Sequence, residues 1–155
     1  MTQDIQPGAA QCGCGQTRFR VHGAPLLRAL CHCTICQEFN RAPFADIALY
    51  RGRDVDMPAD GQVKFNAWRA PPAVQRGRCA ACDNPAIEYL SMPLMPTLVI
   101  VPVANLPDEL DLPAPSLHMF YHSRVADIDD GLPKYSGYWR SQLGFGRHLL
   151  PRMMG

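Results

Sequence analysis

Apolar and polar residues alternate along several short stretches of the chain, with the two-residue period of a β-strand. Residues 44–50 place Ala45, Ile47 and Leu49 at alternate positions, and residues 17–21 alternate in the same way. Both stretches are therefore predicted strands. A turn-rich strand pair is predicted over residues 10–22, and further strands are predicted at residues 63–68, 86–90, 97–103 and 117–121.

Helix signals are few. One helix is predicted near residues 136–150, and we expect it to be partly irregular because Gly137, Gly144 and Gly146 lower its helix propensity. Fifteen prolines and twelve glycines in 155 residues also favour turns over long helices. Since no internal repeat or linker divides the chain, we predict one all-β domain. It would span residues 1–155, with a core at about residues 11–135, a C-terminal extension at residues 136–155 and few or no long helices.

The charge distribution and the length of the apolar stretches disfavour two classes of function. The formal net charge is +1 and the arginines are scattered singly, which disfavours a nucleic-acid surface. The longest apolar stretch, near residues 98–106, is too short and interrupted to span a bilayer. The first ten residues lack the basic and then apolar pattern of a secretory signal. We therefore expect a cytoplasmic protein that binds neither nucleic acid nor membrane.

Seven cysteines carry the candidate chemistry. Cytosolic thiols are kept reduced and seven is an odd number, so metal binding is favoured over a closed set of disulfides. Zinc takes about four ligands near 2.3 Å, and thiolates suit it well. The cysteines form three groups, namely Cys12 with Cys14, then Cys31, Cys33 and Cys36, then Cys79 with Cys82.

The number of cysteines indicates one closed and one open site. Two pairs make a four-thiolate structural site, and three thiolates make a site with one vacant position, as in catalytic zinc. Spacing alone does not decide which pairs share an ion. The triplet is the natural odd group, because Cys31, Cys33 and Cys36 lie within six residues. The first and third groups are then left to form the closed site.

Other interpretations of these residues remain open at this point. A C-x-x-C pair also occurs in disulfide oxidoreductases, but no βαβ pattern surrounds Cys79, and four thiolates can hold an iron–sulfur cluster. His32, between two ligands, is expected to lie behind them or on the surface. His118 and His122 would resemble a metal pair on a helix, but their segment alternates as a strand does.

The ordered motifs resemble those of the glutathione-dependent formaldehyde-activating enzyme family, which also includes centromere-protein-V-like members. The resemblance covers residues 11–135 and is carried by the three cysteine groups, by Phe44, by residues 118–120 and by the closing segment 130–135, Asp-Gly-Leu-Pro-Lys-Tyr. It implies an all-β, tent-like fold. It also implies a structural zinc on Cys12, Cys14, Cys79 and Cys82, and a labile zinc on Cys31, Cys33 and Cys36.

The same resemblance implies a reaction. In the founding enzymes glutathione meets formaldehyde at the middle motif to give S-hydroxymethylglutathione, a carbon–sulfur lyase reaction run in reverse. This chain departs from the family pattern at Gln37, where a basic residue is common, and at Arg41 and Asp83, where glycine is usual. The family's tryptophan shortly before the closing segment is also missing from residues 123–130.

Three functions are consistent with these observations. The leading hypothesis is a zinc-dependent carbon–sulfur lyase that adds a small-molecule thiol such as glutathione to an aldehyde, with Cys31, Cys33 and Cys36 as its catalytic residues. The second is a binding module in which both metals only hold the fold. The third is a metal or thiol sensor that uses the triplet.

Overall fold

The computed structural model describes residues 8–69 and 73–155. Within them lie ten strands and two α-helices, which confirms the predicted β-rich fold class. The helices are α1 (Thr34–Asn40) and α2 (Tyr138–Met154). The strands are β1 (Ala9–Gln11), β2 (Arg18–Val21), β3 (Leu27–Cys31), β4 (Ala45–Arg51), β5 (Val55–Asp56), β6 (Val63–Ala67), β7 (Gln75–Cys79), β8 (Pro85–Leu90), β9 (Leu98–Pro102) and β10 (His118–Met119).

The residues group into two compact units, each drawn from two stretches of chain. The first unit contains Met1–Ala24 and Tyr50–Leu112, and the second contains Pro25–Leu49 and Pro113–Gly155. The single domain over residues 1–155 stays a prediction.

Antiparallel strands build the first unit. Strands β1, β2 and β5 form one three-stranded sheet. Strands β6, β7, β8 and β9 pair in sequence order, with Val63 opposite Cys79 and Glu88 opposite Ile100. All five residues of β9 are buried, which explains its continuous apolar run.

The second unit is built around β3. This strand pairs antiparallel with β4, with Cys31 opposite Ala45, and parallel with β10, with Cys31 opposite Met119. Helix α1 follows β3 after two residues. Because β3 has a partner on each side and four buried residues out of five, it lacks the alternation of a half-buried strand, and the sequence pattern missed it.

The predicted strands correspond to β2, β4, β6, β8, β9 and β10, and the predicted strand pair corresponds to β1 and β2. Strands β3, β5 and β7 and helix α1 were not predicted. The expectation of a partly irregular segment at residues 136–150 was wrong, because α2 runs unbroken for 17 residues through both Gly144 and Gly146. Within residues 8–69 and 73–155, no helix combines the length and the apolar character that crossing a membrane requires.

Candidate metal centres

The two outer cysteine pairs meet in the first unit. The Sγ atoms of Cys12, Cys14, Cys79 and Cys82 all lie within 4.8 Å of one another. The Sγ–Sγ distances are 3.4 Å from Cys12 to Cys14, 3.7 Å from Cys14 to Cys79 and 3.8 Å from Cys82 to Cys12. Tetrahedral ligands bonded at 2.3 Å are about 3.8 Å apart. The four sulfurs therefore surround a space of the size that a zinc ion requires.

Tight turns aim each of these pairs. The amide of Gly15 donates to the carbonyl of Cys12 at 3.0 Å, and the amide of Asp83 donates to the carbonyl of Cys79 at 2.9 Å. Gly15 and Asp83 both have left-handed backbones, with φ of 76° and 61°. The two predicted cysteine turns are thus present, and each is closed by a residue in the conformation that glycine favours.

The surroundings of Cys79 and Cys14 shift the pKa values of the two thiols in opposite directions. Burial opposes the ionisation of Cys79, but hydrogen bonds from the Thr17 hydroxyl and from the backbone of Cys82 outweigh it and lower its pKa to about 6. A backbone hydrogen bond from Gln16 favours the Cys14 thiolate, yet the neighbouring sulfurs raise its pKa to about 12. Ionising one thiol therefore opposes ionising the next, and a bound cation removes that conflict.

The middle cysteines converge in the second unit. The Sγ atoms of Cys31, Cys33 and Cys36 lie within 4.8 Å of one another, and those of Cys31 and Cys36 are 3.2 Å apart. Cys31 ends β3, while Cys33 caps α1, its Sγ accepting the amide of Cys36 at 3.2 Å. Cys31 and Cys36 are buried and Cys33 is half-buried. The group is therefore reached from the side of Cys33.

The thiols of this triplet also disfavour one another's ionisation. The sulfurs of Cys33 and Cys36, followed by burial, raise the pKa of Cys31 well above its ordinary value. Three soft donors this close fit a zinc ion and supply three of its four ligands. Either cysteine group could therefore bind a metal ion.

His32 is buried, with 1% of its surface exposed, and it belongs to neither cysteine group. Its Nε2 lies 2.8 Å from Nδ1 of His118, whose Nε2 lies 2.6 Å from a carboxylate oxygen of Asp130. Burial, the largest cause, lowers the pKa of His32 to about 4, so its ring is neutral at pH 7. His122 is not part of the hydrogen bonds that join His32, His118 and Asp130. Its Nδ1 accepts the amide of Gly137.

Sequence reasoning missed the link from His32 to Asp130, although both motifs were recognised. The 97 residues between the two positions leave no local pattern that joins them. The departures from the family pattern also have structural roles. Gln37 donates from Nε2 to the carbonyls of His32 and Ser123, at 2.7 and 2.8 Å. Arg41, with φ of 50°, ends α1 in the left-handed region.

Comparison with known proteins agrees with this geometry. The family model described as glutathione-dependent formaldehyde-activating enzyme matches residues 8–123, which include all seven cysteines. A crystal structure of a Rhodobacter sphaeroides protein is 18% identical, with a TM-score of 0.51, over 66% of this chain and 91% of that chain. At that identity the likeness concerns the fold alone. No curated protein matches the sequence.

Proposed function

The chain belongs to the glutathione-dependent formaldehyde-activating enzyme family, and we propose that it is a zinc-dependent carbon–sulfur lyase of the S-(hydroxymethyl)glutathione synthase type. Family membership supports a glutathione-related, formaldehyde-activating function. In the proposed reaction the sulfur of a thiol bonds to an aldehyde carbon, the carbonyl π bond breaks and the thiol proton moves to the aldehyde oxygen. The reverse reaction separates the adduct.

The observation that carries this proposal is the three-cysteine group. Cys31, Cys33 and Cys36 would hold a labile zinc, and a fourth coordination position would be left for the substrate. A zinc ion bound there would lower the pKa of a substrate thiol, so that the thiolate forms near neutral pH. Cys33 is the half-buried member, so a substrate would approach beside it, while the buried Cys31 and Cys36 would hold the ion from the opposite side.

The four-cysteine group would hold a second, structural zinc. Three Sγ–Sγ distances, of 3.4, 3.7 and 3.8 Å, support this assignment, since they lie close to the edge of about 3.8 Å in a zinc–thiolate tetrahedron. A site closed by four protein ligands has no position for a substrate. We also propose a cytoplasmic location, where the seven cysteines, none of which forms a disulfide, would stay reduced.

One observation favours a second candidate function. Cys31 and Cys36 are only 5% and 6% exposed, as expected if the triplet merely stabilised the fold. The protein would then be a non-catalytic zinc-stabilised binding module or a thiol and metal sensor.

Exchange spectroscopy by NMR distinguishes these candidates. The test measures how fast glutathione and formaldehyde exchange with S-hydroxymethylglutathione, with and without zinc-loaded protein. We expect faster exchange with the wild type and with His22→Gln, an exposed control, and the uncatalysed rate with Cys33→Ser. A protein that holds two zinc ions and leaves the exchange rate unchanged would be the binding module.

A further inference from the structure

A chain of hydrogen bonds leads from the middle cysteine motif to the closing segment. It begins at His32, passes to His118 over 2.8 Å and reaches Asp130 over 2.6 Å. Asp130 is in turn held by Nζ of Lys134 at 2.9 Å and by the amide of Leu132 at 3.1 Å. All five residues lie in the second unit.

The direction of these bonds follows from the carboxylate. Hydrogen bonds from Lys134 and then from His118 hold the pKa of Asp130 well below its usual range. Asp130 is therefore a carboxylate that can only accept, and His118 donates to it from Nε2. This fixes the orientation of the His118 ring, which stacks on His32 with centroids 5.1 Å apart. The rings of Phe44 and Tyr121 also pack against His32, and each ring centroid lies 5.2 Å from that of His32.

The backbone of His32 is also hydrogen-bonded on both sides. Its amide donates to the carbonyl of Met119 at 2.9 Å, and its carbonyl accepts Nε2 of Gln37 at 2.7 Å. His32 stands between Cys31 and Cys33. The positions of two of the three sulfurs consequently depend on how this one residue is held.

We propose that His118 and Asp130 are positioning residues that act through His32 to hold Cys31 and Cys33 in the geometry that binds metal. Mutation of a residue that hydrogen-bonds to a metal ligand commonly lowers the affinity for the metal about 10–100-fold. Here His118 hydrogen-bonds to His32, which lies between two ligands in the sequence and is not itself a ligand. Asp130 lies beyond the family match at residues 8–123, so the proposal extends the metal site to the closing segment. It rests on the proposed labile zinc site.

The first test is zinc affinity, measured by chelator competition on the full chain. We expect Asp130→Asn to weaken zinc binding at the triplet by about 10–100-fold and to leave the four-cysteine site unchanged. His118→Ala should act in the same direction, and Asp130→Glu, which keeps the carboxylate, should recover part of the loss. The cobalt-substituted triplet should also show a shifted absorption spectrum in Asp130→Asn.

Asp129→Asn is the matched control. It removes the same charge from the neighbouring residue, whose side chain is exposed. The proposal is overturned if Asp130→Asn and Asp129→Asn have the same triplet affinity and cobalt spectrum. It is also overturned if Asp130→Asn weakens both cysteine sites equally, since the effect is then general destabilisation.

A second measurement does not need metal at the triplet. Hydrogen exchange at the His32 amide, followed in protein whose triplet has been stripped of zinc, should be faster in Asp130→Asn than in the wild type and in Asp129→Asn. An unchanged rate overturns the proposal. If the wild-type triplet binds no zinc, the proposed function fails, while the exchange rate still decides whether His118 and Asp130 position the motif.

Discussion

The ring of Tyr135 lies directly against Gly144 of α2. A Cβ at residue 144 would come within 2.7 Å of three ring carbons of Tyr135, whereas a Cβ at Gly146 would have no neighbour within 4 Å. Both glycines lower the helix propensity of α2, but only the first makes close packing possible.

Alanine at these two glycines should have opposite effects. Gly144→Ala would force the Tyr135 ring and α2 apart, and we expect it to lower the free energy of unfolding by about 1–3 kcal/mol. Gly146→Ala adds a better helix former in open space and should raise it by about 0.5–1 kcal/mol. Urea unfolding of the zinc-loaded protein measures both. Two changes of the same sign would contradict this account of α2.

The two glycines also explain how far the sequence could predict the fold. Alternating strands such as β4 were predictable because their pattern is local. Helix α2 was underestimated because the contact of Gly144 with Tyr135 is tertiary. Helix α1 was missed because it is short and begins at a cysteine thiol, Cys33, where the usual cap is a hydroxyl, carboxyl or amide side chain.

The candidate site, like the fold, could be predicted from sequence only in part. The two cysteine groups were separable, because four and three thiols match a closed and an open zinc shell. The chain from His32 to Asp130 was not predictable, since it depends on the parallel pairing of β10 with β3. Parallel neighbours require long connections, so the sequence between them carries no turn signal.

Glycine should be more stabilising than arginine at position 41. Arg41 ends α1 with φ of 50° and ψ of 46°, a conformation that is unfavourable for side chains with a Cβ. We expect Arg41→Gly to raise the free energy of unfolding by about 1 kcal/mol. Arg41→Ala is the control, since it also removes the guanidinium but keeps the Cβ. Equal stability of the two variants would show that backbone conformation is not the cause.

Position 37 should tolerate substitution by a cationic residue better than substitution by an anionic one. The side-chain amide of Gln37 donates to the carbonyls of His32 and Ser123, and a lysine ammonium can donate to the same acceptors. Gln37→Glu has nearly the same shape but no donor, and we expect it to lower the free energy of unfolding by about 2 kcal/mol. Gln37→Lys should lose less than half of that. Thermal unfolding at fixed zinc concentration compares them, and equal losses would contradict the donor role.

Zinc should leave the protein in two steps. Three thiolates complete only part of the zinc shell, so the triplet should release its ion to a chelator before the four-cysteine site does. We expect the zinc content to fall from two to one per chain while the far-ultraviolet circular dichroism is unchanged. Alkylation of Cys33, the half-buried thiol of the triplet, should begin at that step. Release of both ions together would mean that the two sites do not differ in strength.

The two sites should also differ in what a lost ligand does to folding. Structural zinc in zinc-finger peptides contributes an apparent ~10–16 kcal/mol, comparable with the ~5–15 kcal/mol that stabilises a whole domain. Cys79 is 2% exposed and its Sγ lies 3.7 Å from that of Cys14. We therefore expect Cys79→Ser to prevent soluble expression, and Cys14→Ser should do the same because it opens the same site.

Cys33→Ser should remain soluble for a reason that the structure supplies. Cys33 is the N-cap of α1, where its Sγ accepts the amide of Cys36, and serine is among the preferred residues at that position. The variant therefore keeps the helix cap while it removes a ligand from the triplet. Soluble yield and zinc per chain, measured for Cys33→Ser beside Cys79→Ser, check the prediction. If the two variants are equally soluble, the division into a structural and a labile site is wrong. If Cys33→Ser is soluble and keeps one zinc, the four-cysteine site alone is sufficient for folding.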